Sequence, residues 1–258
     1  MKRIIFIILS VFFIVSISSC FLIKFNACTI TFETNGGSDI ADQVIEAWRD
    51  KITVPSSPTK EGYVFAGWYI ESSLTRIYSF DLMVTEDITL YAKWIPNTLA
   101  TSFTYTTINT NEIEITDFIG SDTEVAIPEI IDGKPVTSIR SEAFYNSIRL
   151  TSILIPDSVL SIGNHAFSNC IRLTHIVIGS SVNFIGSEAF SDCIGIFNIT
   201  IPENVITIES RVFAYTDNLT YIYCESPNKP SNWDENWLGD CSGASHWNYT
   251  GDWKYSGN

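Results

Sequence analysis

The chain has 258 residues, 45% of them hydrophobic and 17% charged, with a formal net charge of −14. That length suits two modest domains with their own cores, and the composition excludes a disordered chain. An acidic body without a basic stripe or run argues against nucleic-acid binding, and excess carboxylate is read as a solvated coat before it is read as an active site.

The first segment has the three parts of an export signal: basic Lys2 and Arg3, an apolar run from Ile4 to Ile17, then small residues. Ile17-Ser18-Ser19-Cys20 resembles the bacterial lipobox, which implies a signal over residues 1–19, a lipid on Cys20 as the mature N-terminus, and a lipidated linker over 20–28. More than one acyl chain is what stable anchoring requires. The competing reading is an uncleaved anchor helix, because the apolar run continues through Phe21-Leu22-Ile23 to roughly the 20 residues of a membrane span. In both readings the rest of the chain is exported. Removing Lys2 and Arg3 deepens the negative charge by two.

Beyond Cys20 there are Cys28, Cys170, Cys193, Cys224 and Cys241, none at zinc-ligand spacing. An odd number outside the cell leaves one unpaired within the chain.

Residues 29–96 form the first unit. Thr29 to Thr34 alternates as a half-buried strand does and stops at Asn35-Gly36-Gly37, a tight-turn signal. Val44 to Trp48 reads as a helical turn or another strand. Glu61 to Tyr69 alternates again, and Ile88 to Trp94 is the last strand. The stretches Thr31–Gly37, Pro58–Tyr69 and Val84–Trp94 resemble the internalin B-repeat, also called the Listeria-Bacteroides repeat. The resemblance implies a small β-grasp-like module that serves as spacer or interaction domain. Phe32, Tyr63, Phe65, Trp68, Tyr69, Tyr91 and Trp94 are read as the core of a small sheet in preference to a carbohydrate platform.

After a linker at 97–101, residues 102–258 carry an internal repeat of 23 residues. Ser138-Ile139-Arg140-Ser141-Glu142-Ala143-Phe144 recurs as Ser161 to Phe167, Phe184 to Phe190 and Thr207 to Phe213. Each coil continues as L-x-x-I-x-I, from Leu150, Leu173, Ile196 and Leu219. Period-2 spacing in the last positions predicts a short strand, and stacked coils then build a parallel sheet. The stretch Ser161 to Val182 resembles the BspA-like leucine-rich repeat, and Thr123 to Thr137 looks like a degenerate first coil. That resemblance implies a surface or secreted protein engaged in adhesion and protein binding.

The expected fold is therefore mainly β: a β-grasp-like module, then a leucine-rich-repeat solenoid with a parallel sheet and an irregular or short-helical convex side. A short stack needs caps. Phe103 to Phe118 is the candidate at one end, and Trp233, Trp237, Trp247 and Trp253 at the other, read as a cap in preference to a sugar cradle. Cys170 and Cys193, one period apart, are expected to stack with Ser147 and Thr216 as a ladder of small side chains at a turn, with a disulfide between them the less favoured reading. Cys224 and Cys241 are the candidate disulfide between the last strand and the cap.

His165, His175 and His246 form no readable triad, and Asp234-Glu235 is a solvated pair before it is a dyad. No catalytic residue, cofactor site or metal site is expected. The outward columns of the repeat sheet, Ser152/His175/Asn198/Tyr221 and Leu154/Val177/Thr200/Tyr223, mix aromatic, amide and apolar character as protein-binding surfaces do. His175, Asn198, Thr200, Tyr221 and Tyr223 are the candidate ligand-facing residues. The expected partners are an extracellular host or matrix protein and, through Cys20, the outer face of the bacterial membrane, with no nucleic acid. A structural envelope spacer without a specific ligand is the alternative; a carbohydrate-binding or hydrolytic surface protein ranks below both.

Overall fold

A computed structural model describes residues 27–46, 52–78, 80, 84–226, 228–241, 246–249 and 252–255. The export signal and Cys20 lie outside the described residues.

Four strands make the first unit: β1 (Cys28–Glu33), β2 (Gln43–Ile45), β3 (Tyr63–Tyr69) and β4 (Ile88–Pro96), in the order β2-β1-β4-β3. The central pair β1/β4 is parallel and the outer pairs are antiparallel. Val44 thus belongs to a strand rather than a helical turn. The alternation read from the sequence sends Ile30, Phe32, Leu90 and Ala92 into one core, where Phe32 meets Trp68 edge-on at 4.9 Å and Phe65 meets Trp94 at 5.6 Å. Most of the motif aromatics are core, as expected, and Tyr63 is exposed. The Asn35-Gly36 turn has left-handed backbone at both residues, φ 50° and 84°, and the Trp94 indole donates to the Thr34 carbonyl beside it.

A 3-10 turn (Ala100–Ser102) leads into the second unit, which opens with an antiparallel hairpin, β5 (Phe103–Ile108) and β6 (Glu112–Phe118). Short strands follow in alternation: β7 (Glu124–Ala126), β8 (Ile130–Ile131), β9 (Lys134–Ile139), β10 (Ser152–Leu154), β11 (Ser161–Ile162), β12 (His175–Val177), β13 (Phe184–Ile185), β14 (Asn198–Ile201), β15 (Thr207–Ile208) and β16 (Tyr221–Cys224). The backbone of β17 (His246–Tyr249) and β18 (Asp252–Tyr255) extends the sheet beyond β16.

Each coil gives one strand to a front sheet and one to a back sheet. In front, β7, β10 and β12 pair in parallel, as do β14, β16 and β17. Behind them run β6, β9, β11, β13 and β15, with β5 on the edge. The register advances by one repeat per strand, pairing Ile153 with Ile176 and Ile162 with Ile185. The convex side is therefore a second parallel ladder. Gly163 explains the close approach there: a Cβ on it would lie 2.4 Å from the Ser141 nitrogen of the preceding coil. The front ladder breaks between β12 and β14, where Phe197 takes the place held by Thr151 and Thr174. Each of those threonines sets its hydroxyl within hydrogen-bond distance of a carbonyl of the coil before it, and Phe has no such group.

Two positions per coil are left-handed: Glu142, His165, Glu188 and Arg211 form one column, and Asn146, Asn169, Asp192 and Tyr215 the other. Asn and Asp suit that backbone because their short polar side chains bond locally. Inside the solenoid the Phe144, Phe167, Phe190 and Phe213 rings stack with centroids 4.8, 5.2 and 5.7 Å apart, close to the strand spacing of roughly 4.8 Å. Phe118 covers the first ring at 5.3 Å, and Trp237 meets the last edge-on at 5.8 Å, backed by Trp233. Trp233 and Trp237 are buried, as a cap requires and a sugar cradle does not, while the side chains of Trp247 and Trp253 lie outside the described residues.

Candidate ligand face

The front sheet turns Ile153, Ile199 and Ile222 inward, so the period of two turns the candidate columns outward. Outward from the solenoid is not outward to water along the whole face. The N-terminal module folds back and lies on the first three strands. Val64 and Ala66 of β3 and Ile95 of β4 pack with Ala126 of β7, Leu154 of β10 and Val177 of β12 in one apolar cluster. Ala66, Ile95, Ala126 and Leu154 are buried there, and Ser152 beside them is only 1% exposed. The module expected as a spacer is thus seated on part of the surface expected to bind.

The polar part of the contact surrounds His175. Its Nε2 donates to the Leu74 carbonyl at 2.8 Å, its Nδ1 lies 2.7 Å from the Thr174 hydroxyl, and its ring lies 5.9 Å from that of Tyr69. Burial, with the Lys93 cation nearby, holds the imidazole below its ordinary pKa. Lys93, nearly enclosed, reaches Glu124 across the contact at 3.7 Å and lies over the Tyr69 ring. Burial lowers its pKa, and Glu124 opposes that shift. The Thr98 hydroxyl accepts from the Ala126 nitrogen, tying the linker to β7. His175 was expected to face a ligand; in the structure it faces the protein's own module, because β3 and β4 carry a second apolar face that needs cover.

The other four candidates lie past the covered part. Asn198 and Thr200 on β14 and Tyr221 and Tyr223 on β16 are all partly exposed. The Tyr221 and Tyr223 rings are nearly parallel at 6.3 Å, and Phe197 meets Tyr221 edge-on at 5.4 Å. A cleft of about 660 Å³ opens between Tyr223 and the module, lined by Arg76, Tyr78, Glu86, Asp87 and Tyr91 among others. Burial, with Tyr221 alongside, raises the Tyr223 phenol pKa, and Arg76 partly offsets this.

At the turn preceding the front strands, Cys170 Sγ donates to the Phe144 carbonyl, Cys193 Sγ to that of Phe167, and Thr216 Oγ1 to that of Phe190, at 3.2, 3.1 and 3.0 Å. This is the ladder of small side chains, with no bond between the two sulfurs. Cys241 Sγ extends it by donating to the Thr216 carbonyl. Cys224 sits elsewhere, buried on β16, where burial pushes its thiol up to about 12. The structure does not join Cys224 to Cys241, and the physical reason is their separate placement on the strand wall and at the turn column. Among the described residues no group of three or more His, Cys, Asp or Glu side chains is placed to hold a metal ion.

The sequence reading missed Val64, Ala66, Lys93, Ile95 and Thr98 as contact residues. The available signal was in β4, where Tyr91, Lys93 and Ile95 alternate with the core residues Leu90 and Ala92, giving a second face that is not uniformly polar.

A six-copy match to the BspA type leucine rich repeat region covers residues 114–244, half of the chain. The chain belongs to the BspA-type leucine-rich-repeat family. Residues 29–93 match the Listeria-Bacteroides repeat domain. Over 81 residues the chain is 42% identical to a protein of Evansella cellulosilytica named for a membrane location, covering 31% of this chain and 12% of that one. Over 79 residues it is 37% identical to Internalin H of Listeria monocytogenes, covering 30% of this chain and 14% of that one. The chain thus spans under a sixth of the length of these relatives. A solved leucine-rich repeat protein from Bacteroides capillosus, 27% identical, aligns with half of this chain and 97% of its own at a TM-score of 0.46. These families are repeat scaffolds for interaction.

Proposed function

We infer that this protein is an exported surface scaffold that binds an extracellular protein through the open end of its front sheet. The observation that carries the reading is the partly exposed Tyr221/Tyr223 pair on β16, beside Asn198 and Thr200. Tyrosine is enriched at binding hot spots because it presents a broad, rigid ring and a hydroxyl for little conformational entropy. Family membership supports an interaction role, and the lipobox-like Cys20 supports attachment to the outer face of the cell membrane.

Capture of extracellular-matrix proteins on the immobilised exported chain would identify the partner. Replacing Tyr221 and Tyr223 together with Ala is expected to weaken that binding by at least tenfold, the scale of hot-spot truncation. Unchanged affinity would remove β16 from the site. Metabolic incorporation of a palmitate analogue, abolished in Cys20→Ala, is the expected sign of the anchor; incorporation that survives the substitution excludes Cys20.

A further inference from the structure

We propose that the N-terminal module is a removable cover on the solenoid's front sheet, released when His175 takes up a proton. The contact has the make-up of a reversible one. Its apolar part is a short strip of small and medium side chains, Val64, Ala66 and Ile95 against Ala126, Leu154 and Val177. Contacts between units of one chain hold firmly only when they are large and hydrophobic. The rest of this one is a set of polar groups around the Tyr69 ring. Ser152 Oγ is buried on the outward column with no hydrogen-bond partner among the described residues, a penalty that water would relieve on release.

The charged groups around His175 fix the direction. From β4 comes Lys93, which pairs with Glu124 of β7, from β3 the Tyr69 ring, from the loop after β3, which also carries Glu71 and Arg76, the Leu74 carbonyl, and from its own coil the Thr174 hydroxyl. Its column neighbours Ser152 and Asn198 are neutral. Hydrogen bonding alone does not decide the matter: Thr174 can donate to Nδ1, or donate to the Thr151 carbonyl and accept from a protonated Nδ1. Electrostatics does. The carboxylate that crosses the contact, Glu124, is already engaged by Lys93, so a proton on His175 adds a second cation beside the nearly enclosed Lys93.

The docked imidazole, lowered by burial and by Lys93, titrates below its ordinary value of 6.5. The His175 contribution to docking therefore has its full strength above pH 6.5 and weakens as pH falls through 6.5 towards the docked value. The loss is about tenfold for each pKa unit of lowering. Release uncovers Leu154, Val177 and His175 and joins them to the open residues of β14 and β16 as one face. The linker 97–101 reaches at most about 18 Å when extended, so the module stays near enough to return at neutral pH.

Small-angle X-ray scattering of the exported chain tests this. A compact particle is expected at pH 7.5 and a larger radius of gyration at pH 5.0, with unchanged far-UV circular dichroism. Val177→Asp, which puts a charge in the apolar strip, is expected to expand at both pH values and so defines the released form. His175→Gln, which keeps a donor but cannot take up the proton, is expected to stay compact at pH 5.0. Lys93→Met, which removes the cation that opposes the imidazolium, is expected to move the transition to lower pH. The proposal is overturned by a wild-type radius equal at both pH values while Val177→Asp expands, by equal acid expansion in His175→Gln, or by an unmoved transition in Lys93→Met.

Discussion

Phe190→Ala is expected to lower the unfolding free energy by about 3–5 kcal/mol, the range for removing a fully buried Phe from a packed core. Phe190 is 0% exposed, between Phe167 at 5.2 Å and Phe213 at 5.7 Å with nearly parallel rings. The coils above and below are held by backbone bonds, among them Phe167 nitrogen to Ala189 carbonyl and Phe190 nitrogen to Val212 carbonyl, both short. The stack therefore cannot close over the missing ring, and most of the cavity persists. Urea denaturation measures the effect as a lowered midpoint. Phe197→Ala, half exposed on the front edge, is the comparison and should cost about 1 kcal/mol or less. Equal losses for the two would contradict the stacked core.

Trp237→Ala carries the second large effect, again about 3–5 kcal/mol, but distributed differently. Trp237 is 2% exposed, edge-on to Phe213 and packed with Trp233, whose indole donates to the Val205 carbonyl at 3.0 Å. The Trp237 carbonyl also accepts from the Val212 nitrogen, so the cap continues the coil's own ladder. In a solenoid each coil touches only its neighbours, so an opened end frays inward. Hydrogen exchange should then rise first in β15 and β16 and last in β9, whereas Phe190→Ala should loosen the middle coils. Uniform exchange in Trp237→Ala would show that the indole is not an end cap.

Much of the fold is legible in the sequence because repetition makes it redundant. Ile139, Ile162, Ile185 and Ile208 each state the same inward position, and the Phe column does so again, so one misread residue cannot shift the register. The front strand follows from period 2 in Ile153-Leu154-Ile155 and its copies. The second sheet behind it was less visible, since two-residue strands such as Ser161–Ile162 are too short for periodicity to declare. The candidate site was legible only in part. Tyr221 and Tyr223 face outward as their spacing requires, while His175 at the same kind of position is half-buried by a unit some hundred residues earlier in the chain.

The sequence by itself determined the coil, its inward and outward columns, the Cys-Thr ladder at the turn and the capping place of Trp233 and Trp237. Each is a local or periodic relation, set by strand pleat and by stacking identical turns. Only the tertiary structure decided which part of the front sheet meets water, that Lys93 reaches Glu124 and His175 reaches Leu74, and that Cys224 and Cys241 occupy separate places. Those outcomes depend on how two non-repeating surfaces fit, and neither surface carries a period from which the other could be read.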